Sequence, residues 1–112
     1  MAKKGYRWEP EAGLYELDGD RVVGVVDVPA PGTLERRTIA AARRILTDAE
    51  ASRHGRRRPP AMLEAMATVF ARDRLTAADA EPVTVTLEQV LAWVDGPGLD
   101  VILDFVLSHR RD

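Results

Sequence analysis

Apolar and polar positions along this chain change period at Pro29-Ala30-Pro31-Gly32. Before that stop the pattern is one of short runs with a period near two. Tyr6 and Trp8 flank Arg7, Leu14-Tyr15-Glu16-Leu17 follows Pro10-Glu11-Ala12-Gly13, and Val22-Val23-Gly24-Val25-Val26-Asp27-Val28 follows the turn Asp18-Gly19-Asp20. β-rich runs separated by Pro, Gly and Asp clusters predict an antiparallel meander over about residues 5–28. The run 22–28 is nearly all apolar, which predicts a strand covered on both faces, with Gly24 marking a bulge.

After the stop the period lengthens to that of helices. Thr33 is placed to cap a helix over about 34–50. On it Arg36, Arg37, Arg43 and Arg44 fall within an arc of about 120°. Leu34, Ile39, Ala41, Ala42, Ile45, Leu46 and Ala49 fill the other side. Residues 52–60, with Gly55 and Pro59-Pro60, read as a basic loop. Pro60 then suits the first turn of a helix to about residue 74, with Leu63, Met66, Ala67, Val69 and Phe70 as its apolar stripe. Thr76-Ala77-Ala78-Asp79 has the form of a capped single turn ahead of Glu81-Pro82.

The clearest local signal lies at Val83-Thr84-Val85-Thr86-Leu87-Glu88-Gln89-Val90. Thr86 with Gln89 matches a capping box, and Val85 with Val90 a hydrophobic staple, so a helix starts at Leu87. Its stripe is Leu87, Val90, Leu91 and Val94, and Asp95-Gly96-Pro97-Gly98 ends it. A last helix over about 99–109 has Asp100, Asp104 and Ser108 as its only polar stripe. A helix apolar around most of its circumference is buried on several sides, at the centre of the fold or against another chain. The sum is an α+β fold in a single domain over 1–112: β-rich 1–32, then three to four short helices in 33–112.

Charge sharpens this picture. Residues 35–58 carry eight arginines against Glu35, Asp48 and Glu50, whereas 59–107 carry Arg72 and Arg74 against eight acids. A chain polarised in this way attracts nucleic acid at one end or a copy of itself end to end. The whole is nearly neutral, at −2, and two lysines accompany fourteen arginines. No aromatic residue interleaves with the arginines to stack on bases. The two final helices resemble a helix-turn-helix only in outline, since the second would turn Asp100 and Asp104 toward phosphates. The arginine ridge (Arg36, Arg37, Arg43, Arg44, Arg56, Arg57, Arg58) is therefore expected to meet protein acids first and nucleic acid second.

Candidate chemistry is sparse. The chain has no cysteine, hence no disulfide, thiolate metal site or cysteine nucleophile. His54 and His109 lack metal-ligand spacing. Asp100 and Asp104 share a helical face, but as the one polar stripe of their helix they read as solvated. Ser52 and Ser108 lie in no strand–turn–helix elbow, and the glycines form no phosphate-cradling loop. No apolar run reaches the ~20 residues of a membrane span. The start Met1-Ala2-Lys3-Lys4-Gly5 runs into Tyr6-Arg7-Trp8 rather than an apolar stretch, unlike a secretory signal.

These readings converge on a non-enzymatic interaction or assembly protein, without cofactor or metal, homo-oligomeric or docked in a larger complex, in the cytoplasm or a virion. Its expected interface is Leu99, Val101, Ile102, Phe105 and Val106. Small cysteine-free proteins of this layout occur among bacteriophage virion and assembly components, an analogy of layout that no motif carries. The alternative is a DNA- or RNA-binding accessory factor acting through 36–58.

Overall fold

A computed structural model describes residues 3–27, 32–54, 58–76 and 81–108. Three strands form the meander: β1 (Lys4–Glu9), β2 (Gly13–Asp18) and β3 (Arg21–Asp27). A fourth, β4 (Val83–Thr86), comes from far along the chain and pairs antiparallel with the free side of β1, giving the order β3-β2-β1-β4. The helices are α1 (Leu34–His54), α2 (Pro60–Phe70), α3 (Leu87–Asp95) and α4 (Pro97–Ser108), with a π-helical turn, Ala71–Leu75, continuing α2. The fold is α+β.

The hairpins form where turn chemistry permits. Asp18 pairs with Arg21 across the two-residue loop Gly19-Asp20. Gly19 has a φ of 65° there, and its N–H donates to the Lys3 carbonyl at 2.7 Å. A side chain would resist that backbone conformation. Along β1, Tyr6 and Trp8 fall on one face in register with Val85 and Val83 of β4 and with Glu16 and Leu14 of β2. That face, Glu16 excepted, carries the sheet's share of the core: Tyr6, Trp8, Leu14 and Val85 are all buried.

β3 departs from the reading of its apolar run. It is an edge strand, not one covered on both faces: Val22, Val23 and Val25 are 47%, 52% and 63% exposed, and of the strand's valines only Val26 packs against the core. The β2–β3 register slips between Leu14 and Tyr15 and again between Glu16 and Leu17. Each slip breaks the two-residue alternation, so Val22 and Val23 both face water. Gly24, opposite Glu16, sits beside the second slip.

Opposite the sheet lies α1. Thr33 caps it, its Oγ1 accepting from the Arg36 N–H at 3.2 Å. The helix runs on to His54, past the expected end near residue 50, because Ala51-Ser52-Arg53 contains no breaker. The loop expected from residue 52 is thus helical at its start; residues 55–57 lie outside the described residues, as do 77–80, where a single capped turn was expected. Ala41, Ala42, Ile45, Leu46 and Ala49 are buried, whereas Leu34 is exposed. Met66, Ala67 and Phe70 bury the stripe of α2, which starts with a proline in its first turn. At the C-terminus of α2 the Ala71 N–H is shared between the Ala67 and Thr68 carbonyls, and the pitch widens into the π-turn.

Trp93, on α3, organises the other end of the core. It is fully buried, packs edge-on against Phe70 with ring centroids 5.0 Å apart, and donates from Nε1 to Asp73 of the π-turn at 3.3 Å. Its backbone also fixes the corner between α3 and α4. The Gly96 N–H donates to the Trp93 carbonyl, and a Cβ on Gly98 would lie 3.1 Å from that oxygen and 3.2 Å from the indole ring. One residue therefore separates two helices, and α4 begins at Pro97 rather than near Leu99.

The capping box at Thr86 is complete: Thr86 Oγ1 accepts from the Gln89 N–H at 3.1 Å, and Gln89 Oε1 accepts from the Thr86 N–H at 2.9 Å. Val85 and Val90 are both buried in one cluster, as a staple requires. Thr86→Ala is expected to lower stability by about 1 kcal/mol while Thr86→Ser and Thr86→Asp stay near neutral; urea unfolding of the three variants checks this, and equal losses would refute the cap.

Tyr6 gives a second prediction. Its hydroxyl is buried without a hydrogen-bond partner among the described residues, and burial, with Asp48 and Glu16 adding to it, pushes its pKa up to about 12. Below pH 10 the phenol is protonated in both states. Between about 10 and about 12 only the unfolded chain ionises there, so stability falls as pH rises through that window. Tyr6→Phe should lose this component of the pH dependence and, having removed an unpaired hydroxyl, be neutral or stabilising by about 1 kcal/mol at pH 7. Denaturant midpoints at pH 8 and pH 11.5 for both proteins provide the measurement.

Candidate functional site

The last helix and the arginine ridge each have a definite place in the fold.

Around α4 the side chains divide into three arcs at 100° per residue. Gly98, Val101, Ile102 and Phe105 form the inner arc: Gly98 is buried, Val101 and Ile102 pack against the core cluster, and Phe105 is half-buried. This arc seats α4 on α2 and α3. Asp100, Asp104 and Ser108 form an exposed polar arc. Leu99, Leu103, Val106 and Leu107 form a third arc, about 100° wide, and are 52%, 56%, 49% and 55% exposed. The helix thus has two apolar faces, one consumed by its own fold and one left open. Of the five interface residues expected from sequence, only Leu99 and Val106 lie on the open face. Val101, Ile102 and Phe105 belong to the inner one. Leu103 and Leu107, which the sequence reading had not chosen, complete the open face. Two adjacent apolar arcs on one helix cannot be told apart by periodicity alone, and only the position of α2 and α3 separates them.

The arginines of α1 and of the segment after it reach carboxylates of their own chain. Arg37 approaches Glu11 at 3.7 Å and donates to the Gly32 carbonyl at 2.9 Å. The Arg43 guanidinium holds Glu64 of α2, with Nε at 2.8 Å from Oε2. Arg44 pairs with Asp48 one turn on, at 3.4 Å. Arg58 donates from Nε to Glu50 at 2.6 Å, and this pair is largely dry, the Glu50 side chain being 5% exposed. Arg36 is exposed and makes no ion pair among the described residues; Arg56 and Arg57 lie outside them. The ridge is therefore not a row of free cations. Its charge is spread over acids from β1–β2, α1 and α2.

The expected solvent exposure of Asp100 and Asp104 is observed; Ser52 and Ser108 are exposed and helical. Among the described residues no group of three or more His, Asp or Glu is placed to hold a metal ion, and no helix is long and apolar enough to cross a membrane. His109 lies outside the described residues. Comparisons with protein-family models, with curated proteins and with solved structures return no match.

The ion pairs assign the arginines unequal weight. Arg58→Ala leaves the buried Glu50 carboxylate without a cationic partner among the described residues and is expected to cost about 3 kcal/mol. Arg36→Ala, at an exposed and unpaired position, should change stability by less than about 0.5 kcal/mol. Chemical denaturation of the two variants tests the ranking, which a similar loss in both would contradict.

Proposed function

We propose that this chain is an interaction or assembly protein whose partner is a second copy of itself, docked through the open face of α4. The carrying observation is the set Leu99, Leu103, Val106 and Leu107, each about half exposed on one arc of a helix whose other apolar arc is already used. Leu99, Leu103 and Val106 follow the four-then-three spacing of a helix–helix seam. Leaving such a row in water forfeits the burial energy of four large aliphatic side chains.

Self-complementarity favours a copy of the same chain. The seam is bordered by Asp100 and Asp104. Two copies meeting about a twofold axis present the same apolar row to each other, so each covers the other's without a second surface. A multi-copy assembly, of a virion or any other kind, is the setting this reading implies. The nucleic-acid reading has less behind it, because Arg37, Arg43, Arg44 and Arg58 are engaged with carboxylates.

The solution mass of the wild type by light scattering is expected to be that of a dimer or a multiple of it, and to persist at high salt because the seam is apolar. Leu103→Asp should reduce the mass to that of a monomer while leaving the circular dichroism spectrum unchanged, since the side chain it replaces is outside the core. A wild type that is monomeric at micromolar concentration, or a Leu103→Asp variant of unchanged mass, would overturn the proposal. Submicromolar binding of the wild type to random duplex DNA at about 0.15 M salt would favour the nucleic-acid reading instead.

A further inference from the structure

A second concave feature lies away from α4. Between β1, the start of α1 and the π-turn is a cleft of about 590 Å³, within the range of small-molecule sites. Trp8 forms part of its lining, together with Ile39 and Leu75, which makes the lining mainly apolar. Its polar groups are few and follow a rule. Thr38 donates its hydroxyl hydrogen to the Leu34 carbonyl at 2.7 Å, Thr68 to Glu64 at 2.9 Å and Thr76 to Ala71 at 3.0 Å. A threonine hydroxyl has one hydrogen to give. All three are therefore committed, and what these walls offer a guest is lone pairs.

Two charges complete the lining. Glu35, in the first turn of α1, is exposed and makes no ion pair among the described residues; the same holds for Arg72, in the π-turn. Glu35 comes from α1 and Arg72 from the π-turn, and no ion pair joins them. The π-turn, a departure from regular helix that recurs at functional sites, supplies Arg72, and Thr76 is the residue that follows its end.

We propose that this cleft binds a small apolar α-amino carboxylate. Its ammonium group meets Glu35 and the threonine acceptors, its carboxylate meets the guanidinium fork of Arg72, and its side chain lies against Trp8 and Leu75. A ligand with only one of these charges forgoes one of the two charge-assisted contacts, and a plain apolar ligand forgoes both.

The probes are L-phenylalanine, 3-phenylpropionate, which lacks the amine, and 2-phenylethylamine, which lacks the carboxylate. Calorimetry is the main readout and tryptophan fluorescence the second, because Trp8 is part of the site. Phenylalanine is expected to bind saturably and each truncated probe at least about tenfold more weakly. Glu35→Gln should erase the preference over 3-phenylpropionate, and Arg72→Gln the preference over 2-phenylethylamine. Both residues are exposed, and an unchanged melting temperature confirms that each variant is folded. Absence of saturable phenylalanine binding, equal binding of a truncated probe to the wild type, or preferences that survive both substitutions would each overturn the proposal. None of these results bears on the mass of the assembly, so the α4 proposal stands or falls separately.

Discussion

Tyr6 and Trp8 project two large rings from an inner strand into the layer that α1 closes from the other side. The α1 face in that layer is built largely from short side chains, Ala41, Ala42 and Ala49 with Ile45 and Leu46 between them. Short residues let a helix approach bulky rings closely without leaving voids. α1 also contacts α2, α3 and the π-turn. α4 is in turn seated on α2 and α3. The cost is visible in the same place, since both rings carry a buried polar atom, the Tyr6 hydroxyl and the Trp8 Nε1, with no partner among the described residues.

Polarity in the sequence does not translate into polarity in space. The basic segment and the acidic segment, read linearly, suggest a molecule with two oppositely charged ends. In the fold, α1 and α2 lie side by side, so Arg43 meets Glu64, and Arg58 turns back to Glu50. Neutralisation occurs locally and within one molecule. On α4 an open apolar arc stands beside the exposed Asp100 and Asp104, and the apolar arc shifts the weight of the functional argument from electrostatic attraction to burial of surface.

Much of this architecture was legible beforehand because local rules and the global fold agree. The meander, the Thr33 cap, the Pro60 start and the Thr86–Gln89 box are each decided by residues within a few positions of one another. The fourth strand was not read, although Val83 and Val85 alternate with Thr84 and Thr86 as a strand should; four residues running into a strong cap look like the approach to a helix. The burial of β3 was misjudged for a different reason. Apolarity states what a strand can bury, and only the sheet order, with β3 at an edge, states what covers it. The cleft beside Trp8 had no sequence signature at all, because Glu35 and Arg72 are brought to it by two separate helices.

The pairing of β1 with β4 has a consequence for how the chain is made. Gly5 stands opposite Thr86, and the approach is so close that a Cβ on Gly5 would lie 2.8 Å from the Val85 carbonyl oxygen. Until the segment carrying β4 has been synthesised, β1 keeps a bare row of backbone donors and acceptors on one side. A meander formed before that segment is available has an open sheet edge next to Tyr6 and Trp8, and closing it requires a loop spanning most of the protein. An edge left open in that way is one on which another nascent copy can add its own strand in place of β4.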